Sequence, residues 1–312
     1  MNELFKNLKK FKSKTALIDD KNNKLNYLEL SNIQKKIKTR FSKGDVVLLL
    51  IENSIEAIST YIGVFDLPIV KIIIDANISH DFYLDLKKKY KPNYILCSKL
   101  KMQILSIKNY EYLNFNFCVS KVSKTKSKVN IINSLLLTTS GSTSSPKFVR
   151  LSVDNLIDNT KKIKQYLRLN ESIKSITSLQ PAYSYALSII HSNIFAGGSI
   201  FVTKESITDL KFWINFKKLK INSFNAVPIM IKYLSKFNFT FLNKKNLKYI
   251  TIAGGKLENF YLKKLYSFSK KNKIKTYYMY GQTEASPRMS YLDPKYLNSK
   301  MGSIGMPLKG GK

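Results

Sequence analysis

The chain has little of what marks a stapled, fibrous or membrane-spanning protein. Its 312 residues hold only two cysteines, Cys97 and Cys118. That excludes a disulfide scaffold and reads as core thiols of a reducing, cytoplasmic setting, given their apolar neighbours. With 12 glycines and 8 prolines it is neither collagen-like nor a linker chain. The longest apolar runs, residues 46–51 and the stretch 69–74 interrupted by Lys71, fall far short of the roughly 18–20 residues that a membrane-spanning helix needs. The two histidines, His80 and His191, stand at no metal-ligating spacing from cysteine or carboxylate and read as structural. Residues 1–14 carry Leu4, Phe5, Leu8 and Phe11 on one side but include Glu3 and no continuous apolar stretch. A short first helix is expected there, not a targeting segment.

Acidic residues are also scarce: 20 Asp plus Glu face 53 Lys plus Arg, a formal charge of +33. Such a balance suggests a polyanion partner. Yet only Arg40, Arg150, Arg168 and Arg288 are arginine, and the lysines are spread along the chain among many Asn and Ile. Lys, Asn and Ile are what an AT-rich genome encodes most readily, so codon bias explains the charge without a dedicated role. Arginines at base edges, stacking aromatics and recognisable modules are what sequence-specific nucleic-acid readers show, and none is found. No specific nucleic acid is therefore expected as a partner, only weak, salt-sensitive background binding to polyanions.

What is abundant is apolar mass, 44% of the chain, enough for one large core or two ordinary ones. Short β-branched runs alternate with helical patterns, the signature of βαβ units. Strands are expected near 45–51, 68–75 and 93–97, with helices near 54–65 and 80–89 between them, paired in parallel through right-handed crossovers. Residues 121–128 are polar, basic and aperiodic and read as an exposed connection, placing a first lobe at roughly 1–130 and a second at 131–312. In the second, strands are expected near 135–139, 147–151, 173–178, 199–203, 223–227, 247–252 and 274–279. Ser152 is suited to cap a helix running to about Leu167. Residues 256–271 place Leu257, Phe260, Tyr261, Leu265 and Phe268 at helical spacing, read as a core stripe.

Three strand ends open into segments with chemical potential. An apolar strand at 135–139 runs into Ser140-Gly141-Ser142-Thr143-Ser144-Ser145-Pro146-Lys147. Small residues let backbone N–H groups approach an anion, the hydroxyls add donors, and the lysine adds a point charge. The spacing from Gly141 to Lys147 matches a Walker loop, but Pro146 replaces its second glycine and Phe148 the hydroxyl that would hold magnesium. Tyr280-Gly281-Gln282-Thr283-Glu284 follows the strand at 274–279. Thr283 can donate to a phosphate, and Glu284 can hold Mg²⁺ beside it, since magnesium prefers carboxylate and phosphate oxygens. Thr251-Ile252-Ala253-Gly254-Gly255-Lys256 is the third strand end, where two glycines let backbone lie flat against a base or an acyl group. Taken singly, each has an ordinary alternative: a turn, a surface ion pair, a glycine-enabled bend. Loops at the carboxyl ends of parallel strands are where open α/β sheets bind ligands, so the polar loops are expected to face one crevice.

In this order, Thr139-Ser140-Gly141-Ser142-Thr143 with Pro146-Lys147, Ala253-Gly254-Gly255, Tyr280-Gly281-Gln282-Thr283-Glu284, and Gly302-Ser303-Ile304-Gly305-Met306-Pro307 resemble the motifs of the AMP-forming, adenylate-forming enzyme superfamily. Its members include acyl-CoA synthetases, fatty acyl-AMP ligases and amino-acid adenylation domains. Leu25-Asn26-Tyr27-Leu28-Glu29-Leu30 and Glu52-Asn53-Ser54 resemble the family's early segments, so the likeness covers nearly the whole chain. It implies an α/β fold of two βαβ-type lobes with mostly parallel sheets. It also implies that Thr139, Ser140, Gly141, Ser142, Thr143 and Lys147 grip the outer phosphates of ATP. Ala253, Gly254 and Gly255 would contact adenine and the bound acid, Tyr280, Gly281 and Gln282 would lie against adenine, Thr283 would bind the α-phosphate, and Glu284 would ligate Mg²⁺. Lys147, Thr283 and Glu284 are thereby the candidate catalytic groups. The implied reaction joins a carboxylic acid to AMP with release of pyrophosphate, then passes the acyl group to the thiol of CoA, to a carrier protein's phosphopantetheine, or to an amine.

Several positions depart from the family pattern. Ser144 stands where a glycine is usual, and Tyr183 where many members place a histidine; Tyr183, Val227 and Gly254 are the candidate acid-pocket residues. Asn225 occupies the neighbourhood where an amino-acid adenylation domain would be expected to place a buried aspartate for the α-amine, which favours an acid without one. After Lys312 the family continues with most of a β-barrel, a ribose-binding aspartate, a hinge and a small C-terminal domain with a catalytic lysine. The chain is therefore expected to be a truncated N-terminal core with little activity alone. Two further alternatives are a degenerate, non-catalytic binding protein and a basic nucleic-acid binder with accidental motifs.

Overall fold

The computed structural model describes residues 4–123, 133–139 and 147–311. In chain order the first elements are β1 (Thr15–Asp19), β2 (Lys24–Asn26), α1 (Tyr27–Lys38), β3 (Val46–Ile51), α2 (Ile55–Phe65), β4 (Val70–Asp75) and α3 (His80–Tyr90). There follow β5 (Tyr94–Ser98), α4 (Lys99–Ile104), β6 (Glu111–Asn114), β7 (Phe117–Lys121), β8 (Ser134–Thr138), β9 (Phe148–Ser152), α5 (Val153–Leu167) and β10 (Lys174–Thr177). The last are α6 (Ser184–Ala196), β11 (Ser199–Val202), α7 (Leu210–Lys218), β12 (Ser223–Ala226), α8 (Pro228–Lys236), β13 (Tyr249–Ile252), α9 (Asn259–Lys271), β14 (Lys275–Tyr280), β15 (Ser290–Leu292) and β16 (Met306–Pro307). No described helix is long and apolar enough to cross a membrane.

Two compact units result: one of Met1–Ala16, Lys24–Asp158 and Leu179–Ala186, the other of Leu17–Asn23, Asn159–Ser178 and Leu187–Lys312. The chain passes between them several times instead of at one cut near residue 130. The physical reason is strand pairing, because β8 lies beside β4 and β9 beside β8, which binds residues 134–138 and 148–152 into the first sheet.

The first unit's sheet runs β6-β7-β5-β3-β4-β8-β9. Its centre is parallel, β3 with β4 and β5, and β4 with β8. Every residue of β3 is buried, as expected of a strand covered on both faces. Both ends of the sheet are antiparallel, however: β5 with β7, β6 with β7, and β8 with β9. The strands expected near 45–51, 68–75 and 93–97 pair in parallel as read from the sequence, whereas the β6–β7 hairpin, which turns at Phe115 with a positive φ of 49°, carries no sequence signal. Helix α1 starts at a reciprocal cap, in which Asn26 Oδ1 accepts from Glu29 N and Glu29 Oε2 from Asn26 N. Helix α2 is buried along nearly its whole length. Gly63 lets α1 close in, since a Cβ there would stand 2.5 Å from Ile37 Cδ1.

The expected first helix is only a single 3₁₀ turn, Leu8–Phe11. Its apolar side chains do pack inward: Leu4, Phe5, Leu8 and Phe11 are buried. The segment is held instead by Asp66, whose two carboxylate oxygens accept from Leu4 N and Phe5 N at 2.8 Å each.

The second unit's sheet runs β16-β15-β14-β13-β12-β10-β11-β1, parallel from β14 to β1 and antiparallel at β14–β15 and β15–β16. Its core gathers Phe212, Trp213, Phe216 and Phe224 with Ile250, Ile252, Leu262 and Leu265. Helix α9 buries Leu262, Leu265 and Ser269. Phe260, expected in the core, is 61% exposed. Two residues before Leu262 is about 200° of helical rotation, so its ring faces outward, under Lys264 Nζ at 4.5 Å.

Candidate active site

Within the second unit the register of three neighbouring parallel strands sets a row of loops side by side. Ala226 pairs with Ile252, and Ile252 with Tyr278. The residues following these positions are Val227, the glycine pair Gly254 and Gly255, and the segment from Tyr280 onward, all at the carboxyl edge of one sheet. Val227 is the extended cap of α8, with Pro228 at that helix's first position. Ala253 is buried while Gly254 and Gly255 are exposed, with φ of 89° and 157°. A side chain is disfavoured at both for conformational reasons. A Cβ on Gly255 would meet Pro228 Cγ at 3.5 Å, so the glycine leaves an open backbone face at the strand end. The Tyr278 hydroxyl closes the turn from beneath by accepting from Leu257 N at 3.0 Å.

The segment after β14 folds back on itself. Met289 N donates to Tyr280 O at 2.9 Å, closing a loop whose middle is the 3₁₀ turn Thr283–Ala285. Gly281 is required by close approach: a Cβ there would stand 1.8 Å from Pro287 O and 2.9 Å from Arg288 Cα. Tyr280 is 41% exposed. Gln282 and Glu284 are exposed and Thr283 is half-buried. Glu284 makes no hydrogen bond or ion pair to another described residue, so its carboxylate is open to a cation.

The half-buried Thr283 hydroxyl and the exposed Glu284 carboxylate are a donor to phosphate and an acceptor for a cation. The described residues hold no group of three or more His, Cys, Asp or Glu side chains suited to a metal. A lone exposed carboxylate such as that of Glu284 is the kind of group magnesium accepts alongside phosphate and water oxygens.

Thr139, Lys147 and Tyr183 lie in the first unit. Ser140, Gly141, Ser142 and Thr143, with Ser144 and Pro146, lie outside the described residues. The feet of that segment are fixed, because Thr138 pairs with Phe148 and Thr139 N donates to Lys147 O at 3.0 Å. The segment therefore joins two antiparallel strands. A Walker loop leads from strand to helix, so the structure removes that comparison on topology as well as on sequence. Lys147 is exposed and Thr139 half-buried. Tyr183 is half-buried, its ring edge-on to Tyr185 at 6.3 Å, and burial raises its pKa above the ordinary value.

Asn225 has a different role from the one its position suggested. It is 5% exposed, its Oδ1 accepts from Thr251 Oγ1 at 2.7 Å, and its Nδ2 donates to Ser175 Oγ at 3.2 Å. These bonds tie β12 to its neighbours β13 and β10. His191 is buried in α6, where burial pushes its imidazole down to about 3.

A cluster missed by the sequence reading lies at the end of the Tyr280 loop. Arg288 is 3% exposed and bonded to Ser188 of α6 and Tyr166 of α5. Around it stand Tyr249 and Tyr277, whose hydroxyls burial holds well above the usual range, Tyr277 to about 12. The available signal was an arginine in a lysine-rich chain, following Glu284 by a few residues.

The sequence model of a family described as AMP-binding enzyme matches residues 4–311. A D-alanine–D-alanyl carrier protein ligase from Lacticaseibacillus rhamnosus is 28% identical over 159 residues, 49% of this chain and 31% of that protein. Among solved structures, the O-succinylbenzoate coenzyme A synthetase of Bacillus subtilis in complex with ATP and magnesium gives a TM-score of 0.79 at 18% identity. That match covers 99% of this chain and 66% of the synthetase. A long-chain-fatty-acid–CoA ligase from Archaeoglobus fulgidus gives 0.76 at 15% identity, covering 98% and 69%. The chain thus spans about a third of the curated relative it matches and about two thirds of these folds.

Proposed function

Because the chain belongs to the AMP-binding enzyme family, we propose that it carries the nucleotide- and acid-binding part of an ATP-dependent carboxylic acid ligase. The observation that carries this reading is that Val227, Ala253 to Gly255 and Tyr280 to Glu284 follow the in-register positions Ala226, Ile252 and Tyr278 at one sheet edge. A carboxylate oxygen of the acid attacks the α-phosphorus of ATP, and the bond from that phosphorus to the bridging oxygen of pyrophosphate breaks. A thiolate then attacks the acyl carbon and AMP leaves. Neither step needs a covalent protein intermediate, so the work is in-line placement and neutralisation of charge.

The roles are those that the family resemblance implies for the residues present. Thr283 donates to the α-phosphate and Glu284 holds magnesium, which when bound offsets the charge of the phosphate oxygens. Lys147, with Thr139, Ser140, Gly141, Ser142 and Thr143, grips the outer phosphates. Tyr280, Gly281 and Gln282 lie along adenine, opposite the open backbone of Ala253, Gly254 and Gly255. Tyr183, Val227 and Gly254 border the acid. The acceptor is CoA or a carrier protein's phosphopantetheine; the carrier-protein ligase and the CoA synthetases among the similar proteins support one each. An amide at Asn225, where a carboxylate would be expected to meet an α-amine, supports an acid without one, while the D-alanine ligase among the similar proteins supports an amino acid.

The test is ATP–pyrophosphate exchange with a panel of aliphatic, aromatic, dicarboxylic and amino acids, D-alanine included. Exchange with one class, weak in this chain alone and lost in Lys147→Ala and Glu284→Ala, is the expected result. No exchange with any acid, together with no magnesium-dependent ATP binding by a folded chain, would refute the ligase reading in favour of a non-catalytic binding protein.

A further inference from the structure

The loop that carries Thr283 and Glu284 is anchored at its far foot by a buried cation. Arg288 Nε donates to Ser188 Oγ at 2.9 Å, and Nη1 donates to the Tyr166 hydroxyl at 2.9 Å. That hydroxyl donates in turn to Met279 Sδ at 2.9 Å, and Met279 immediately precedes Tyr280. The Arg288 carbonyl accepts from Asn159 Nδ2 at 2.7 Å. The Tyr166 ring is itself fixed, stacked on Tyr291 with centroids 4.1 Å apart and planes at 11°. Both feet of the loop are therefore tied to one hydroxyl: Met279 at its start and Arg288 at its end.

A guanidinium withdrawn from water is costly, and an apolar side chain of similar volume would fill the same space without that cost. What an apolar side chain lacks is the fixed fork of donors that reaches α5 and α6 at once. Gly281 makes the consequence local, since its Cα abuts Pro287 and Arg288 so closely that no Cβ fits between them. A shift of Arg288 must move Gly281, and with it the turn Thr283–Ala285.

We propose that Arg288 is a positioning residue, which through Ser188 and Tyr166 sets where the Thr283 hydroxyl and the Glu284 carboxylate stand. The proposal rests on the reading of Thr283 and Glu284 as phosphate and magnesium groups, and its test separates the two. Hydrogen exchange of the Ala285 and Ser286 amides, which donate to Gln282 O and Thr283 O, reads the turn with no ligand present. Arg288→Met should raise their exchange at least about tenfold while β13 amides stay protected. Tyr166→Phe should act in the same direction, and the double variant should exchange no faster than Arg288→Met alone. The magnesium concentration that half-saturates ATP binding should rise about tenfold in Arg288→Met and be partly restored in Arg288→Lys, an effect that lost fold stability alone would not produce.

Unchanged Ala285 and Ser286 exchange in folded Arg288→Met overturns the proposal. If that variant does not fold, unchanged exchange in Tyr166→Phe overturns it. Altered exchange without any magnesium-dependent ATP binding in the parent chain upholds the positioning role and defeats the ligase reading instead.

Discussion

Lys71 stands in β4, in the middle of the first sheet between β3 and β8, with none of its surface exposed. Its Nζ donates to Leu67 O at 2.7 Å and to Asn133 Oδ1 at 2.9 Å. Burial lowers its pKa from an ordinary 10.5 to about 7, and Asp66 opposes the shift only in part. The sign of the effect on stability follows from proton counting. Between pH 7 and 10.5 the unfolded chain keeps the Lys71 proton and the folded chain has released it, so unfolding takes up a proton and the folded state gains as pH rises. The burial penalty is complete below pH 7 and absent above 10.5. Over the window from pH 7 to 9, where tyrosine ionisation does not intrude, the gain from this residue is about 2 kcal/mol, approaching a slope of about 1.4 kcal/mol per pH unit.

The assay is urea unfolding at pH 7, 8 and 9, followed by pulsed hydrogen exchange of the β3 and β4 amides so that the first unit alone is read. The comparison is with Lys71→Met. That variant removes the charge but also one donor each from Leu67 O and Asn133 Oδ1, a loss of about 1–3 kcal/mol per orphaned acceptor. Its absolute stability is therefore a poor guide, and the pH slope is the readout. The parent should gain about 2 kcal/mol more than Lys71→Met across the window. Equal slopes in the two proteins would show that Lys71 keeps an ordinary pKa in the folded chain, and the burial argument would be wrong.

Gly281→Ala should destabilise the second unit by at least about 1–3 kcal/mol, because its Cβ would overlap backbone and not a yielding side chain; an unfolding midpoint equal to the parent's would refute the close approach. Asn26→Ala should lower the stability of the first unit by about 1 kcal/mol through loss of the reciprocal cap with Glu29. Glu29→Ala should cost less than Asn26→Ala in the same urea titration, since it removes only the bond to the Asn26 amide. Burial raises the thiol pKa of both Cys97 and Cys118. At pH 8 their reaction with an aromatic disulfide reagent should therefore be at least about tenfold slower in the native chain than in urea.

Where the sequence was informative, the physics was local. Ser152 accepts from Asn155 N at 3.1 Å and α5 runs to Leu167, as a hydroxyl ahead of a periodic stretch predicts. The continuous apolar run of β3 reads as a doubly covered strand and is one. The row of strand-end segments was legible because ligand sites of parallel sheets gather at carboxyl edges, and the register of β12, β13 and β14 supplies that gathering. Illegible features were set by partners remote in the chain. The β6–β7 hairpin at one antiparallel end has short strands and a turn without glycine, Phe115 holding the positive φ. Phe260 was misread because apolar residues within one turn of a helix can point in opposite directions.

Arg288 is the sharpest case. Its bonds to Ser188 and Tyr166 span 100 and 122 residues, a separation at which neither spacing nor periodicity carries a signal. The motif Tyr280 to Glu284 shows which atoms face a ligand, but motifs end where solvent-facing chemistry ends. The groups that hold such a loop in place lie behind it, on helices whose own patterns say only that they are buried. Lys71 belongs to the same class: a charge inside an apolar run reads as an interruption until the Leu67 carbonyl and the Asn133 amide are seen to receive it. Buried cations in this chain are thus the places where one-dimensional pattern fails for a definite reason. Their partners are chosen by the fold, and a sequence without the fold contains only one half of each bond.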